Sequence, residues 1–297
     1  MTLLSVNINK IALLRNSRGR NYPDVDAFAA RFLDLGAAGI TLHPRQDQRH
    51  ARYEDVASLQ RLCAERGREL NVEGYPVADF LEVVKSARPA QCTLVPDMPG
   101  QLTSDHGWDI ERHAALLRPA IAQLNDLGIR VSLFVDADYP ALEWAREVGA
   151  TRVELYTERF AESHGSEQGD AVFDTYLQAA RRAQALGLGV NAGHDLDLHN
   201  LARFLDIPGI LEVSIGHALT VEALQFGFAE TIRRYNELLD RVAAKPRVFP
   251  QVLGDEDAPL LVRLNFCRTG KEKALETPCL RNRQRHNFLL QTVPFLG

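Results

Sequence analysis

Short β-type runs alternate with longer helical segments along most of the chain, and this alternation is the feature that most restricts its fold. Between the runs, apolar residues recur at the three- and four-residue spacing of helices that bury one face. Eight runs are predicted as strands, beginning near Leu3, Gly39, Glu69, Gln91, Ile129, Arg152, Leu188 and Leu211. Successive strand-helix units require parallel pairing, and the simplest closed arrangement of eight is an α/β fold of the (β/α)₈ TIM barrel type.

An open, doubly wound parallel sheet is the alternative to a barrel. Such sheets typically bind dinucleotides or phosphates through a glycine-rich loop after the first strand. Neither GxGxxG nor GxxxxGK[ST] follows the first predicted strand. The sequence therefore favours the barrel.

The predicted strands carry polar side chains on one face, although parallel strands are normally covered on both faces. Residues two apart share a face, because side chains alternate across a strand. The polar face contains Ser5, Asn7, Thr41, His43, Asn71, Glu73, Ser132, Asp136, Glu154, Tyr156, Glu212 and Ser214. An unpaired buried polar group costs about 1–3 kcal/mol, so these groups need partners. We expect them to face the barrel interior and to form a polar pocket at the carboxyl ends of the strands, where barrel active sites lie.

Composition excludes several classes of partner. The chain has 297 residues and a net charge of -5, and a basic excess is expected of surfaces that bind nucleic acid or anionic membranes. No run of eighteen apolar residues predicts a membrane span, and no basic segment precedes the short apolar run at the start. A cytoplasmic location is expected. The four cysteines have no metal-ligand or redox spacing and are expected to be reduced thiols.

Three strand-end residues are candidates for proton transfer into one pocket: His43, Glu73 and His194. Each such group typically contributes about 10²–10⁴-fold to a rate when its pKa lies near neutrality. The same three side chains could instead bind a divalent metal. No HxH or HExxH spacing reinforces that alternative, so the sequence predicts neither a metal nor a cofactor.

Two groups of cationic residues follow the first two predicted strands: Arg15, Arg18 and Arg20, then Arg45, Arg49 and His50. Guanidinium groups suit bidentate phosphate contacts, although either group could be a solvated basic loop. Their position on adjacent loops favours an anionic substrate. The run SIGHALTVEAL offers a further anion site, because Gly216 permits close backbone approach and amides at a helix start can hold phosphate.

Seven motifs occur in order between Leu3 and Leu239: VNINKIALLRNSRG, GITLHPRQDQRH, NVEG, CTLVPD, RVSLFVDAD, VNAGHDL and VSIGHAL. Together they resemble the pyridoxine 5'-phosphate synthase family. The resemblance implies a (β/α)₈ barrel with extra helices that assembles into an octamer. It also implies a cofactor-independent condensation of 1-deoxy-D-xylulose 5-phosphate with 3-amino-2-oxopropyl phosphate, which closes a pyridine ring and releases phosphate and water.

Matching motif positions imply a role for each residue of the site. By this resemblance, His43 and Glu73 are proton acceptors and His194 is the proton donor. The residues that hold the amino-ketone phosphate are Asn7, Arg18, Gly216 and His217. Those that hold the deoxyxylulose phosphate are Arg45, His50 and Thr103.

Several positions depart from the common family pattern. Asn9 and Lys10 stand where Asp-His is common, Asp195 stands for a glycine and Tyr156 for a histidine. Lys10 could replace the histidine as a phosphate or hydroxyl contact, whereas Asn9 cannot act as a base. Asp195 is expected to contact substrate through its backbone. The variant set resembles a branch of the same family, and Asn9, Lys10 and Asp195 are predicted to bind substrate.

Residues 1–241 are predicted to form the catalytic barrel. The alternation of strands and helices stops there, so residues 242–297 are predicted to be a C-terminal extension with no assigned chemistry. Small phosphorylated substrates and self-association into a homo-oligomer are the expected partners. Two other functions stay open: a phosphosugar isomerase or aldolase on the same barrel, and a paralogue that binds phosphate ligands without turnover. A lysine at an interior strand position would favour a Schiff-base aldolase, and none is predicted.

Overall fold

The eight predicted strands form a closed parallel barrel in the computed structural model, which describes residues 1–97, 101 and 103–244. Each strand pairs with the next along the chain, and the eighth closes on the first. The strands are β1 (Leu3–Asn7), β2 (Gly39–Leu42), β3 (Glu69–Gly74), β4 (Gln91–Leu94), β5 (Arg130–Val135), β6 (Arg152–Tyr156), β7 (Gly189–Gly193) and β8 (Ile210–Ile215). Every strand begins within one residue of its predicted start. The (β/α)₈ fold is confirmed, and the open sheet is wrong.

Helices surround the barrel and connect its strands. In the described part of the chain they are α1 (Asn9–Asn16), α2 (Val25–Asp34), α3 (Tyr53–Glu65), α4 (Ala78–Ala87), α5 (Ile110–Asn125), α6 (Trp144–Glu147), α7 (Glu158–Ser163), α8 (Gly169–Ala185), α9 (Leu201–Phe204), α10 (His217–Phe226) and α11 (Phe228–Ala244). The first, sixth and eighth strands are each followed by two helices. These pairs provide the extra helices that the family resemblance implies.

An apolar layer between strands and helices holds the barrel together. On α2, the side chain of the N-cap residue Asp24 accepts a hydrogen bond from the backbone of Ala27, which satisfies one of the free amides of the first turn. Phe32 on the same helix is buried, as is Ile40 on the outward face of β2. Burying a side chain of this size contributes roughly 1.5–3 kcal/mol.

The barrel interior is polar, as the strand alternation predicts. The hydroxyl oxygens of Ser5 and Thr41 lie 2.6 Å apart, and Thr93 Oγ1 lies 3.0 Å from Asn71 Oδ1. Near the amino ends of the strands, the guanidinium of Arg152 donates to Gln91 and Asn191. These interior hydrogen bonds offset the desolvation of the polar groups.

The last described helix, α11, ends at Ala244, three residues beyond the predicted limit of the barrel domain. The rest of the predicted extension, residues 245–297, lies outside the described residues. None of the helices in the described ranges combines the length and the apolar character needed to cross a membrane.

Candidate active site

A cavity of about 550 Å³ opens at the carboxyl ends of the strands. It lies where the polar strand face predicts a pocket and where barrel enzymes place their active sites. Among its lining residues are all but one of the predicted site residues: Asn7, Asn9, Lys10, His43, Arg45, His50, Glu73, Thr103, His194, Asp195, Gly216 and His217. Residues far apart in the sequence therefore meet in one cavity.

Arg18 and Asp136 do not line the cavity. Arg18 is exposed in the turn after α1 and is absent from the cavity lining. Asp136, at the end of β5, accepts a hydrogen bond from the backbone amide of Gly107, 3.0 Å away, and supports the loop before α5. The polar face of β5 therefore has a structural partner at this position.

The carboxyl group of Glu73 is buried in the cavity wall at the end of β3. Burial raises its pKa to about 7, and the nearby carboxylate of Asp97 adds to the effect while His194 opposes it. Asn7 Nδ2 lies 3.4 Å from Glu73 Oε2. At neutral pH both protonation states of Glu73 are populated, which is the condition for efficient general acid and base catalysis.

This raised pKa predicts a pH-dependent stability difference for the Glu73→Gln variant. A carboxyl group with a raised folded-state pKa contributes stability below its unfolded pKa, near 4.5, and that contribution is lost as pH rises through about 7. Glutamine cannot ionise. Relative to wild type, the variant should therefore gain on the order of 1–3 kcal/mol in free energy of unfolding between pH 5 and pH 8. Urea denaturation at both pH values measures it, and an equal difference at both contradicts the burial effect.

His43 follows β2 and is the second predicted proton acceptor. Burial lowers the pKa of its imidazole well below the usual value, and the adjacent Arg45 guanidinium lowers it further. The ring is therefore neutral at pH 7, and its 4.0 Å approach to Asp97 is not an ion pair. A neutral imidazole has one nitrogen free to accept a proton.

Asn9 explains how His43 is held. Its side-chain oxygen accepts a hydrogen bond from the backbone amide of His43 at 2.9 Å. Its backbone amide donates to Asn7 Oδ1 at 3.1 Å. The ends of β1 and β2 are thus fastened together beside the cavity. The asparagine that replaces the common aspartate has a structural function that needs only an acceptor oxygen.

His50 lines the cavity on the loop before α3. Its pKa is lowered to about 4, mainly by burial and next by the positive charge of Arg45. Its Nδ1 accepts a hydrogen bond from the amide of Ala51 at 2.9 Å, so the proton of the neutral ring is on Nε2. His50 can therefore donate a hydrogen bond into the cavity without carrying a charge.

Arg45 is joined to the loop after β4. Its guanidinium forms a buried ion pair with Asp97 and donates to the carbonyl of Gln101 at 3.2 Å. Ser104, on the same loop, donates to Asp97 at 2.8 Å. Among the described residues, no side-chain or backbone partner is found for Arg45 Nε. The contacts with Asp97 and Gln101 hold the guanidinium against the loop after β4.

The start of α10 forms another wall of the cavity. A Cβ atom at Gly216 would lie 2.9 Å from the Cβ of Asn7 and 3.0 Å from its backbone oxygen, so β1 and β8 can meet here only through glycine. Gly216, His217 and Ala218 all line the cavity. The amides of a first helical turn are a favourable site for phosphate.

His194, the predicted proton donor, follows β7 and contacts several side chains. Its Nδ1 lies 2.9 Å from Asp195 Oδ2, and its Nε2 lies 3.1 Å from Thr103 Oγ1. The ring of Tyr156 packs edge to face against it at 5.0 Å between centroids. Tyr156, which replaces the common histidine, also brings its hydroxyl to within 3.3 Å of the Ser104 carbonyl.

Glu154 lines the cavity, although the sequence analysis gives it no catalytic or binding role. It is buried in the middle of β6. Burial raises its pKa well above the usual value, and the nearby carboxyl group of Glu73 raises it further. A neutral Glu154 can donate a hydrogen bond. Its place on the polar strand face was the available signal, but that face does not separate cavity residues from interior partners.

Glu158 was missed by the sequence analysis. It begins α7, two residues after the end of β6, and accepts a hydrogen bond from the hydroxyl of Tyr156. Within the part of the chain that the structure describes, Glu158, His194 and Asp195 form one group whose ligand atoms lie within 4.8 Å of one another. Both ring nitrogens of His194 already have hydrogen-bond partners, so the geometry fits a hydrogen-bonded network rather than a cation site.

The chain is similar to known proteins over most of its length. Residues 4–241 match the model of the family described as pyridoxal phosphate biosynthesis protein PdxJ. The chain is 53% identical over 242 residues to a pyridoxine 5'-phosphate synthase of Xanthomonas campestris pv. campestris (strain B100), covering 79% of this chain and 94% of that protein. It is 51% identical over 249 residues to one from Xylella fastidiosa (strain M12), covering 81% and 96%.

Solved structures resemble the fold at much lower identity. A crystal structure of KGPDC from Streptococcus mutans superimposes with a TM-score of 0.56 at 13% identity, covering 82% of this chain and 99% of that one. Identity at this level carries information about the barrel alone.

Proposed function

This chain belongs to the pyridoxal phosphate biosynthesis protein PdxJ family, and from that premise we propose that it is a pyridoxine 5'-phosphate synthase, the name carried by its relatives. The proposed reaction joins 1-deoxy-D-xylulose 5-phosphate and 3-amino-2-oxopropyl phosphate. The products are pyridoxine 5'-phosphate, inorganic phosphate and water. The enzyme would be a transferase-class, ring-closing synthase of vitamin B6 biosynthesis.

The observation that carries the proposal is the meeting of acid/base groups and anion sites in one cavity. His43, Glu73 and His194 line the same space, and the start of α10 and the Arg45 loop provide two places for phosphate. Imine formation, enolisation, loss of water and ring closure are successive proton transfers. They need groups that exchange protons near neutral pH, and Glu73 has a pKa of about 7.

His43, as a neutral imidazole, and Glu73, as a carboxylate, are assigned as proton acceptors. His194 is assigned as the donor. The start of α10, with Asn7 and His217 beside it, would hold the phosphate of the amino ketone, since helix amides and a glycine turn suit an anion. The groups assigned to the deoxyxylulose phosphate are Arg45, His50 and Thr103, and Asn9, Lys10 and Asp195 complete the substrate contacts. We leave out Arg18, because its exposed side chain is outside the cavity.

The chemistry supports a reaction without an added cofactor. The two substrates together contain the carbon, nitrogen, oxygen and phosphorus of pyridoxine 5'-phosphate, one phosphate and water. The change needs no external oxidant or reductant, since the loss of water and phosphate provides the unsaturation of the ring. Proton transfer and electrostatic stabilisation are the contributions left to the protein.

Apolar side chains on the outer surface support self-association. Leu14 on α1 and Leu224 on α10 are 51% and 80% exposed, and these two helices contact each other. Leu13, Val221 and Phe226 on the same helices are also exposed. We propose that the chain forms a homo-oligomer; light scattering that gives the mass of one chain would contradict it.

The full-length protein incubated with both substrates should produce pyridoxine 5'-phosphate and an equal amount of inorganic phosphate, measured by mass spectrometry and a phosphate assay. Either substrate alone should give no product. Binding of both phosphorylated compounds without turnover would contradict the proposal and favour the paralogue that only binds ligands.

A further inference from the structure

We propose that Asp195 is a positioning residue for His194: its carboxylate fixes the imidazole with a proton on Nδ1 and directs Nε2 into the cavity. The inference rests on the proposed function for its catalytic meaning, whereas the geometry of the pair is independent of it. It goes beyond the substrate contact predicted for Asp195, because here the side chain acts through its neighbour.

The hydrogen bonds of the imidazole define its orientation. Asp195 Oδ2 lies 2.9 Å from Nδ1, and an ionised carboxylate can only accept a hydrogen bond, so Nδ1 must carry the proton. The pKa of Asp195 is lowered, first of all by this hydrogen bond from His194, which keeps the carboxylate ionised. Nε2 then faces Thr103 Oγ1 at 3.1 Å, on the cavity side of the ring.

The backbone that carries the pair is unusual. His194 has φ 87° and Asp195 has φ 58°, a left-handed conformation that non-glycine residues rarely adopt. Surrounding groups hold this turn: the hydroxyl of Thr157 lies 2.7 Å from the Gly193 carbonyl and also contacts that of His194, and Asn200 Nδ2 donates to the Asp195 carbonyl at 3.0 Å. Such conformations persist where neighbouring contacts over-determine them, often at functional sites.

Glycine would be the unstrained residue for this turn, because position 195 has a positive φ. A glycine provides the left-handed backbone at no steric cost. It provides no carboxylate. Asp195 therefore adds a feature that the backbone alone does not require, and its carboxylate is hydrogen-bonded to the imidazole of His194, which lines the cavity.

The proposed proton step balances without another reagent. In its protonated form His194 gives the Nε2 proton to a substrate hydroxyl as its C–O bond breaks and water leaves. The neutral ring keeps the proton on Nδ1, which stays hydrogen-bonded to Asp195. Glu73 or His43 takes one proton from the carbon at which the new double bond forms, and exchange with solvent returns it to His194 before the next turnover. Other charged or titratable groups near the pair are Glu73, Glu158, Lys10 and His217.

Two substitutions separate the carboxylate from the backbone. Asp195→Asn keeps the size of the side chain and tolerates the left-handed conformation, and Asp195→Gly has the residue that suits the turn best. We expect kcat to fall about tenfold or more in both variants, because a hydrogen bond between charged groups is lost. KM should change by less than about threefold.

Nitrogen-15 NMR of the histidine side chains tests the pair without turnover, with a His194→Gln variant to assign the signal. The wild-type neutral ring should be protonated on Nδ1, and the Asp195→Gly ring should shift toward the Nε2-protonated form. The proposal is overturned by an unchanged tautomer or by Asp195→Gly with wild-type kcat. Loss of wild-type activity in EDTA, restored by a divalent cation, would also overturn it in favour of a metal at Glu158, His194 and Asp195. A wild type with the expected tautomer but no product would refute the proposed function alone.

Discussion

Replacing Glu73 with glutamine is expected to lower kcat for pyridoxine 5'-phosphate formation by about 100- to 10,000-fold. Glutamine has nearly the same shape and can keep the contact with Asn7, but it cannot accept or donate a proton as a carboxyl group does. The pKa of about 7 lets Glu73 both accept and donate a proton at neutral pH. Substrate binding should be retained, because the phosphate sites lie elsewhere in the cavity.

Glu212→Gln is the matched control for this experiment. Glu212 is also buried in the barrel interior, and burial also raises its pKa, but it does not line the cavity. Its Oε1 accepts a hydrogen bond from Gln91 that a glutamine oxygen can also accept. If Glu73→Gln loses no more activity than Glu212→Gln, Glu73 is a structural interior residue and the assigned mechanism is wrong.

Replacing Arg15 with methionine is expected to lower the free energy of unfolding by about 3–5 kcal/mol, because it leaves a buried charge without its partner. Arg15 and Asp55 are both buried, and Arg15 Nη2 lies 2.9 Å from Asp55 Oδ2. The same nitrogen donates to the carbonyl of His50 at 3.2 Å. The variant should therefore also raise KM for 1-deoxy-D-xylulose 5-phosphate, since the loop that presents His50 loses an anchor.

Chemical denaturation of Arg15→Met and of a control, Arg159→Met, measures this effect. Arg159 pairs with Asp138 on the surface, where both side chains are 62% exposed. An exposed pair contributes little, so the control should unfold almost as the wild type does. Equal stability of the two variants would show that the buried pair does not anchor α1 to the first turn of α3.

The barrel was predictable because its signal is repeated and local. Each strand has its own alternation and each helix its own apolar stripe, so an error in one element leaves the others intact. The polar strand face located the pocket as well. Parallel strands are normally covered on both faces, so polar residues on them cannot be explained by exposure to solvent. The sequence therefore predicts that Asn7, His43 and Glu73 lie in one pocket.

The partners of individual charged residues were not predictable in this way. Arg15 and Arg18 look alike in the sequence, and both belong to the cationic group that follows the first predicted strand. The structure separates them: Arg15 is buried against Asp55, forty residues along the chain, and Arg18 is exposed. Burial of a side chain depends on how α1 packs against the next loop, which local patterns do not encode.

The pairing of Asp195 with His194 was missed for a similar reason. Their side chains meet because two successive residues adopt positive φ values, stabilised by Thr157 and Asn200. Non-glycine residues rarely adopt that conformation, so the sequence alone predicts an ordinary loop at this point. Glu158 lies outside the strand periodicity and reaches the site only through the fold.

The most direct test of the central claim is a crystal structure of the full-length protein with 1-deoxy-D-xylulose 5-phosphate and inorganic phosphate. We predict one phosphate group at Gly216 and His217 and the other beside Arg45 and His50. The carbon chain of the sugar phosphate should lie within hydrogen-bond reach of Glu73. Ligands bound outside the cavity, or phosphates away from both of these sites, would contradict the account.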